Sequence, residues 1–212
     1  MAIIIFGRQR SGTTLLTSFL NSHPELKIEG EILHPTRQVR GAGAKVINNI
    51  SNQYWGFNLK YNHVSNWITS NFSKFKIVHV LRRDLLSMAI SSIINTNKPK
   101  YKKPSETKEK IKTQKYYFDI EKVKNVMTQN KKLVSRWVKN LSECYENVYP
   151  VFYEDFTKGG TDVKAWESSA LCNFLGVDNL KFTTDQIKVN SKNLKDIVIN
   201  WEELETIKDR YL

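Results

Sequence analysis

The chain has 212 residues, 40% of them hydrophobic and 25% charged, which suits one α/β domain with a full core and excludes a disordered chain. Its 33 Lys and Arg against 21 Asp and Glu give a net charge of +12, which favours an anionic partner such as a nucleotide, nucleic acid, acidic glycan or anionic lipid. No apolar run approaches the ~20 residues needed to span a bilayer, and no basic, apolar and small-residue leader is expected before the first strand.

Ile3, Ile4, Ile5 and Phe6 form an apolar run without alternation, the pattern of a strand buried on both faces of a parallel sheet. Gly7 opens a polar loop, GRQRSG, and Thr13 starts a helix with Leu15, Leu16, Phe19 and Leu20 on one face. Strand, glycine-bounded loop and helix in that order gather backbone N–H groups around an anion at a helix N-terminus. Gly7 and Gly12 have the spacing of a triphosphate-binding loop, and Thr14 fills its hydroxyl position. Thr13, however, stands where that loop needs Lys. The cations lie inside the loop instead, at Arg10 and Arg8, an arrangement poorly suited to ATP or GTP.

Pro24 ends the first helix near His23, and the chain returns to the sheet around Leu26 to Ile28. Glu29, Gly30 and Glu31 follow, a turn that presents a carboxylate. Residues 43 to 50 read as a helix and 54–61 as a strand, and Asn62 is a candidate N-cap for a helix through Phe72. Ile77 to Leu81 form a second apolar strand, with Arg82 and Arg83 at its C-terminal end, where doubly wound sheets bind ligands. Asp84 caps the next helix, on which Ser87 and Ser91 share a face.

Residues 97 to 118 have no clear period and carry eight lysines between Lys98 and Lys115, so they read equally as a lid or as a solvated charged loop. A long helix spans about Ile120 to Tyr145, and VYPVFYEDF gives a strand ending at Tyr153. An amphipathic helix from Trp166 to Leu175 stops at Gly176. A basic stretch from Lys188 to Lys195 precedes a last helix bearing Trp201 and Leu204. Cys144 and Cys172 sit outside any CxxC or His pairing; free thiols fit a reducing cytoplasm, the compartment expected here.

Together these segments resemble the PAPS-dependent sulfotransferases (PAPS is 3′-phosphoadenosine-5′-phosphosulfate). GRQRSGTTLL with SHPEL is similar to the 5′-phosphosulfate loop of the tyrosylprotein and bacterial carbohydrate or glycolipid members. RRDLLSMAISS resembles the 3′-phosphate motif, with Arg83 and Ser91 eight residues apart. FYEDF resembles a third family segment, and IKVNSKNLKDIVINWEEL the C-terminal nucleotide-closing segment.

The resemblance implies a P-loop-type three-layer α/β/α domain over residues 1–212, with a mostly parallel sheet. It implies PAPS as donor, with Arg8, Gln9, Arg10, Ser11, Gly12, Thr13 and Thr14 at the phosphosulfate. Arg83 and Ser91 would hold the 3′-phosphate, Tyr153 would lie near the adenine, and Lys192, or else Lys188, would close over the nucleotide. Arg10 and Lys60 are the expected catalytic cations. Glu31, 21 residues after Arg10, matches the family's general-base Glu, with Glu29 as its nearest rival; His34 and His79 are the candidates if the base is His. No metal is expected. The acceptor implied is a hydroxyl, first on a carbohydrate or glycolipid, with protein tyrosine or a small metabolite left open. A nucleotide kinase would need the loop Lys and a Mg²⁺-binding acid. A nucleic-acid-binding module would need interleaved aromatic and basic residues on one surface.

Overall fold

The computed structural model describes residues 1–34, 42–97, 115–157, 165–185 and 194–208. The Lys-rich segment, apart from Lys115 and its neighbours, lies outside these residues, as do Lys188 and Lys192. The chain divides into two compact units: residues 1–82 with 134–186, and residues 83–133 with 187–212.

The first unit is built on five strands: β1 (Ala2–Gly7), β2 (Lys27–Glu29), β3 (Trp55–Lys60), β4 (Phe75–Leu81) and β5 (Val148–Phe152). Their order is β2-β3-β1-β4-β5, and every neighbouring pair is parallel. The unbroken apolar run of β1 is explained by its central place: all six of its residues are buried. Ile3 and Ile5 face a core shared with Leu16, Phe19 and Leu20 of helix α1 (Thr13–Leu20) and with Leu171 and Leu175. Phe6 faces the other way, with ring centroids of Tyr61, Phe72 and Trp137 at 4.8, 5.6 and 5.0 Å. Both faces of the sheet are therefore covered, as a parallel sheet requires.

Two local expectations shift. The helix foreseen from Asn62 is replaced by a 3₁₀ turn, Tyr61–His63, and a short helix, α3 (Asn66–Thr69), which follows α2 (Ala42–Asn49) in the chain. The reason is local: Val64 is extended, and the Ser65 side chain accepts from Ile68 N, which sets the helix start three residues later. Likewise Trp166 does not open a helix. Strand β6 (Ala165–Trp166) pairs antiparallel with β7 (Phe182–Thr183), and the helix between them, Ser169–Leu175, starts after the capping Ser168. It stops at Gly176, whose φ of +76° few other residues would adopt.

The second unit is helical in its described residues. It contains α4 (Leu85–Asn97), the portion through Leu133 of α5 (Ile120–Leu141), and α7 (Leu194–Ile197) and α8 (Trp201–Glu205), where α6 is Ser169–Leu175. Leu86, Ile90, Val123, Met127, Ile197 and Leu204 form its core. Asn200 ties its chain segments together: its Oδ1 accepts from Phe118 N at 3.1 Å, and its Nδ2 donates to Phe118 O at 2.9 Å. Helix α5 ends at Leu141 rather than Tyr145, because Cys144, at φ −130°, leaves helical geometry. No helix among the described residues is long and apolar enough to cross a membrane.

Candidate active site

All the polar residues of interest in the first unit sit at the C-terminal ends of its parallel strands. Gly7 at the end of β1 is in register with Lys60 at the end of β3 and with Val80 of β4. The loop after Gly7 therefore emerges between Lys60 on one side and Arg82 on the other, the position at which open parallel sheets bind ligands.

The loop is a backbone structure. Ser11 folds it by donating to Arg8 O from both N (3.1 Å) and Oγ (2.7 Å). Arg10 has φ +69°, the only left-handed non-glycine residue among those described. Arg82 braces that conformation by donating from Nη1 to Arg10 O at 3.1 Å, and its guanidinium lies 4.5 Å from the centroid of the Tyr153 ring. Gly7 is required by space, and Gly12 by both space and angle. A Cβ on Gly7 would meet Ser11 Oγ at 2.7 Å and Val80 O at 2.9 Å; one on Gly12, at φ +100°, would meet the Tyr153 ring at 2.3 Å. Gly12 is also the N-cap of α1, with no side chain bonded across the helix start and no acid in the first turn. Such a terminus presents its backbone N–H groups and the positive end of the helix dipole to an anion.

Cations crowd this opening. Burial lowers the Arg10 guanidinium, and the nearby Arg82 charge lowers it further. Burial lowers Arg8 as well, partly offset by Tyr61. Lys60, 4% exposed, donates from Nζ to Thr13 Oγ1. Burial brings its ammonium down to about 8, against the pull of Glu31 and with the help of Arg10. An anion held at the helix start would relieve this mutual repulsion.

Beside the loop lies a second cluster, made of side chains from two strand ends. The chain leaves β2 at Glu29, and His34 N donates to Glu31 O at 3.1 Å to close a turn. Glu31 Oε1 is 3.7 Å from Lys60 Nζ, and Glu31 Oε2 is 3.7 Å from His63 Nδ1. The His34 and His63 rings are 4.3 Å apart, edge to face. Glu29 is engaged elsewhere: its Oε1 accepts from Trp55 Nε1 at 2.9 Å and its Oε2 from Lys45 Nζ at 2.8 Å. Burial raises the Glu29 carboxyl, but the hydrogen bonds from Lys45 and Trp55 outweigh it and hold the net shift downward. Of the two rival carboxylates, only Glu31 meets Lys60 in an ion pair. His79 lies in the core, its Nε2 2.5 Å from Tyr61 Oη and its imidazole pushed down by burial to about 4.

Among the expected residues, Gly12, Thr13, Lys60, Glu31 and Arg10 gather at this end of the sheet, and Ser11 is used as a brace inside the loop. Thr14 is exposed on the first turn of α1. Tyr153 packs against Gly12 and under Arg82. Arg83 and Ser91 belong to the second unit, Arg83 exposed and Ser91 buried on α4. There Asp84 caps the helix, with Oδ1 accepting from Ser87 N at 2.9 Å and Oδ2 from Ser87 Oγ at 2.6 Å. The sequence does not single out Arg82 or His63. Arg82 enters only as the neighbour of Arg83, although a strand end beside the loop is reason to weigh it. His63 gave no signal, since nothing in its neighbourhood in the chain marks it.

Residues 2–66 match the sequence model of the sulfotransferase family. No curated protein matches the chain significantly in sequence. Among solved structures, a sulfotransferase from Alicyclobacillus acidocaldarius aligns over 99% of this chain and 91% of its own, with 15% identity and a TM-score of 0.53. Mouse sulfotransferase SULT7A1, solved in complex with PAP, aligns over all of this chain and 64% of its own, with 16% identity and a TM-score of 0.49. Residues 2–66 thus carry a sequence pattern of the sulfotransferase family, and the parallel sheet has the fold of the Alicyclobacillus enzyme.

Proposed function

We propose that the chain transfers a sulfuryl group from PAPS to a hydroxyl of a carbohydrate or glycolipid, with Glu31 as general base. The observation that carries this reading is the meeting of Lys60 with both Thr13, at the open helix start, and Glu31. An anion-binding loop and a carboxylate share one buried cation.

The fit of the loop to a phosphosulfate is supported by its two glycines, its uncapped helix and its crowded cations. PAPS supplies an activated sulfuryl group and a stable bisphosphate leaving group. Backbone amides from Gln9 to Thr14, with the Thr13 and Thr14 hydroxyls, bind the 5′-phosphosulfate. Arg10 and Lys60 stabilise charge that grows on the transferring oxygens, the largest catalytic contribution expected where little covalent work falls to the protein. Glu31 accepts the proton of the acceptor hydroxyl, and His63 at Oε2 helps fix its orientation. By the resemblance of their motif, Arg83 and Ser91 bind the 3′-phosphate, Tyr153 lies toward the adenine, and Lys192 closes over the nucleotide. We place the reaction in the cytoplasm, in keeping with two free thiols, Cys144 and Cys172.

The test is a thermal shift with 3′,5′-adenosine bisphosphate against ATP·Mg, ADP and AMP, in wild type and Arg83→Ala. Stabilisation selective for the bisphosphate and lost in Arg83→Ala supports the donor assignment; a ligand at 100 times its dissociation constant adds about 2.7 kcal/mol. Equal stabilisation by ATP·Mg overturns it.

A further inference from the structure

Glu31, His34 and His63 offer three ligand atoms that all lie within 4.8 Å of one another. We propose that these three side chains form a binding site for a zinc-class divalent transition-metal ion.

The donor set is two imidazoles and one carboxylate, a combination that suits Zn²⁺ and its first-row neighbours rather than Mg²⁺, which prefers oxygen ligands alone. The scale is also close. Bonds of about 2.0–2.1 Å to a tetrahedral ion put its ligand atoms roughly 3.3 Å apart. His63 Nδ1 and Glu31 Oε2 are already at 3.7 Å, so that edge needs only a small contraction. His34 is on the same turn as Glu31, held by the bond from His34 N to Glu31 O, and its ring already stands 4.3 Å from that of His63. His63 supplies the fixed member: its side chain is 2% exposed at the end of a 3₁₀ turn continuous with β3, whereas Glu31 is 23% exposed and faces the opening.

Among the described residues, Lys60 is the cation paired with Glu31, which argues against a metal here, and its placement answers the objection. It approaches Glu31 at Oε1 and also donates to Thr13, whereas the two histidines lie on the side of Oε2. Oε2 can thus serve a metal without breaking the contact of Oε1 with Lys60. A bound ion would occupy the carboxylate assigned above as proton acceptor, so the site is inhibitory. That consequence rests on the proposed role of Glu31; the binding itself does not.

The experiment is a titration of the metal-free protein with Zn²⁺ by calorimetry and with Co²⁺ by visible absorption, in wild type, His34→Ala and His63→Ala. Wild type is expected to bind one ion, to give the ligand-field bands of a low-coordinate Co²⁺ site, and to ignore Mg²⁺. His34→Ala, at a half-exposed position, is expected to keep the fold and to weaken Zn²⁺ by at least about 10–100-fold, the loss typical of even an outer partner of a metal ligand. Absence of those Co²⁺ bands, equal binding of Mg²⁺, or unchanged Zn²⁺ affinity in His34→Ala overturns the proposal. Stabilisation by 3′,5′-adenosine bisphosphate, measured on the same samples, reports separately on the donor site.

Discussion

The two halves of the candidate site are built from different materials. The loop between Gly7 and Thr13 is contiguous in the chain and offers backbone N–H groups, with side chains as braces. The cluster of Lys60, Glu31, His34 and His63 works through side chains brought from the ends of β2 and β3. On the proposed function, the first half depends on its backbone path together with Arg10 and the Thr13 and Thr14 hydroxyls. The second depends on the identity of each group and not on any unusual backbone angle. On the proposed function, the difference separates binding the donor from activating the acceptor, and it can be tested one half at a time.

The largest effect is expected at Glu31. Glu31→Gln keeps the shape and removes the proton acceptor, so the chemical step should slow by about 10²–10⁴-fold while bisphosphate affinity holds. Single-turnover rates alongside a donor titration read both, and a parallel loss of donor affinity would show that the two halves are not separable. Gly12→Ala attacks the other half. Its Cβ would drive into Tyr153, and the φ of +100° alone costs about 1–3 kcal/mol in a non-glycine residue. Donor binding should weaken by about tenfold to a hundredfold, read as loss of the bisphosphate thermal shift.

Lys60 belongs to both halves, and pH exposes it. Its ammonium is charged below about 8 and loses the proton above, so sulfuryl transfer should fall about tenfold per pH unit on the alkaline side; Lys60→Met should be slow and flatter. Stability runs the other way. The lysine sits below its ordinary value of 10.5 in the folded chain, so between about 8 and 10.5 the unfolded chain binds more protons and stability rises with pH. Urea unfolding at pH 8 and pH 10 checks that sign. The smallest effect is at Glu29. Glu29→Gln loses the Lys45 pair at the surface, worth about 0.2–1 kcal/mol, and should leave turnover unchanged. A large loss of turnover would transfer the base role to Glu29.

The same contrast explains what could be read from the chain. β1, its loop and α1 were legible because glycine spacing, an apolar run and a helical stripe are all local signals. β4 and the capped start of α4 were legible for the same reason. The ends of helices were less so: Ser65 and Ser168 override the apolar pattern by capping later than the periodicity suggests. The association of Glu31 with His63 was invisible, because it depends on β2 and β3 lying side by side, and no residue near His63 announces it. Tyr153 was found as a motif residue, yet its contact with Gly12 across 141 positions could come only from the fold.

The central place of β1 also bears on how the protein is made. Its two partners, β3 and β4, begin at Trp55 and Phe75, so the ribosome must add about 50 to 70 residues before either is complete. At about 5–20 residues per second that wait lasts roughly 3–15 s. Throughout it Ile3 to Phe6, a β-prone apolar segment with no charge, has no native strand to pair with. The strand most deeply protected in the finished molecule is thus the one longest at risk during synthesis, and a chaperone that holds the nascent β1 segment should raise the yield of folded protein.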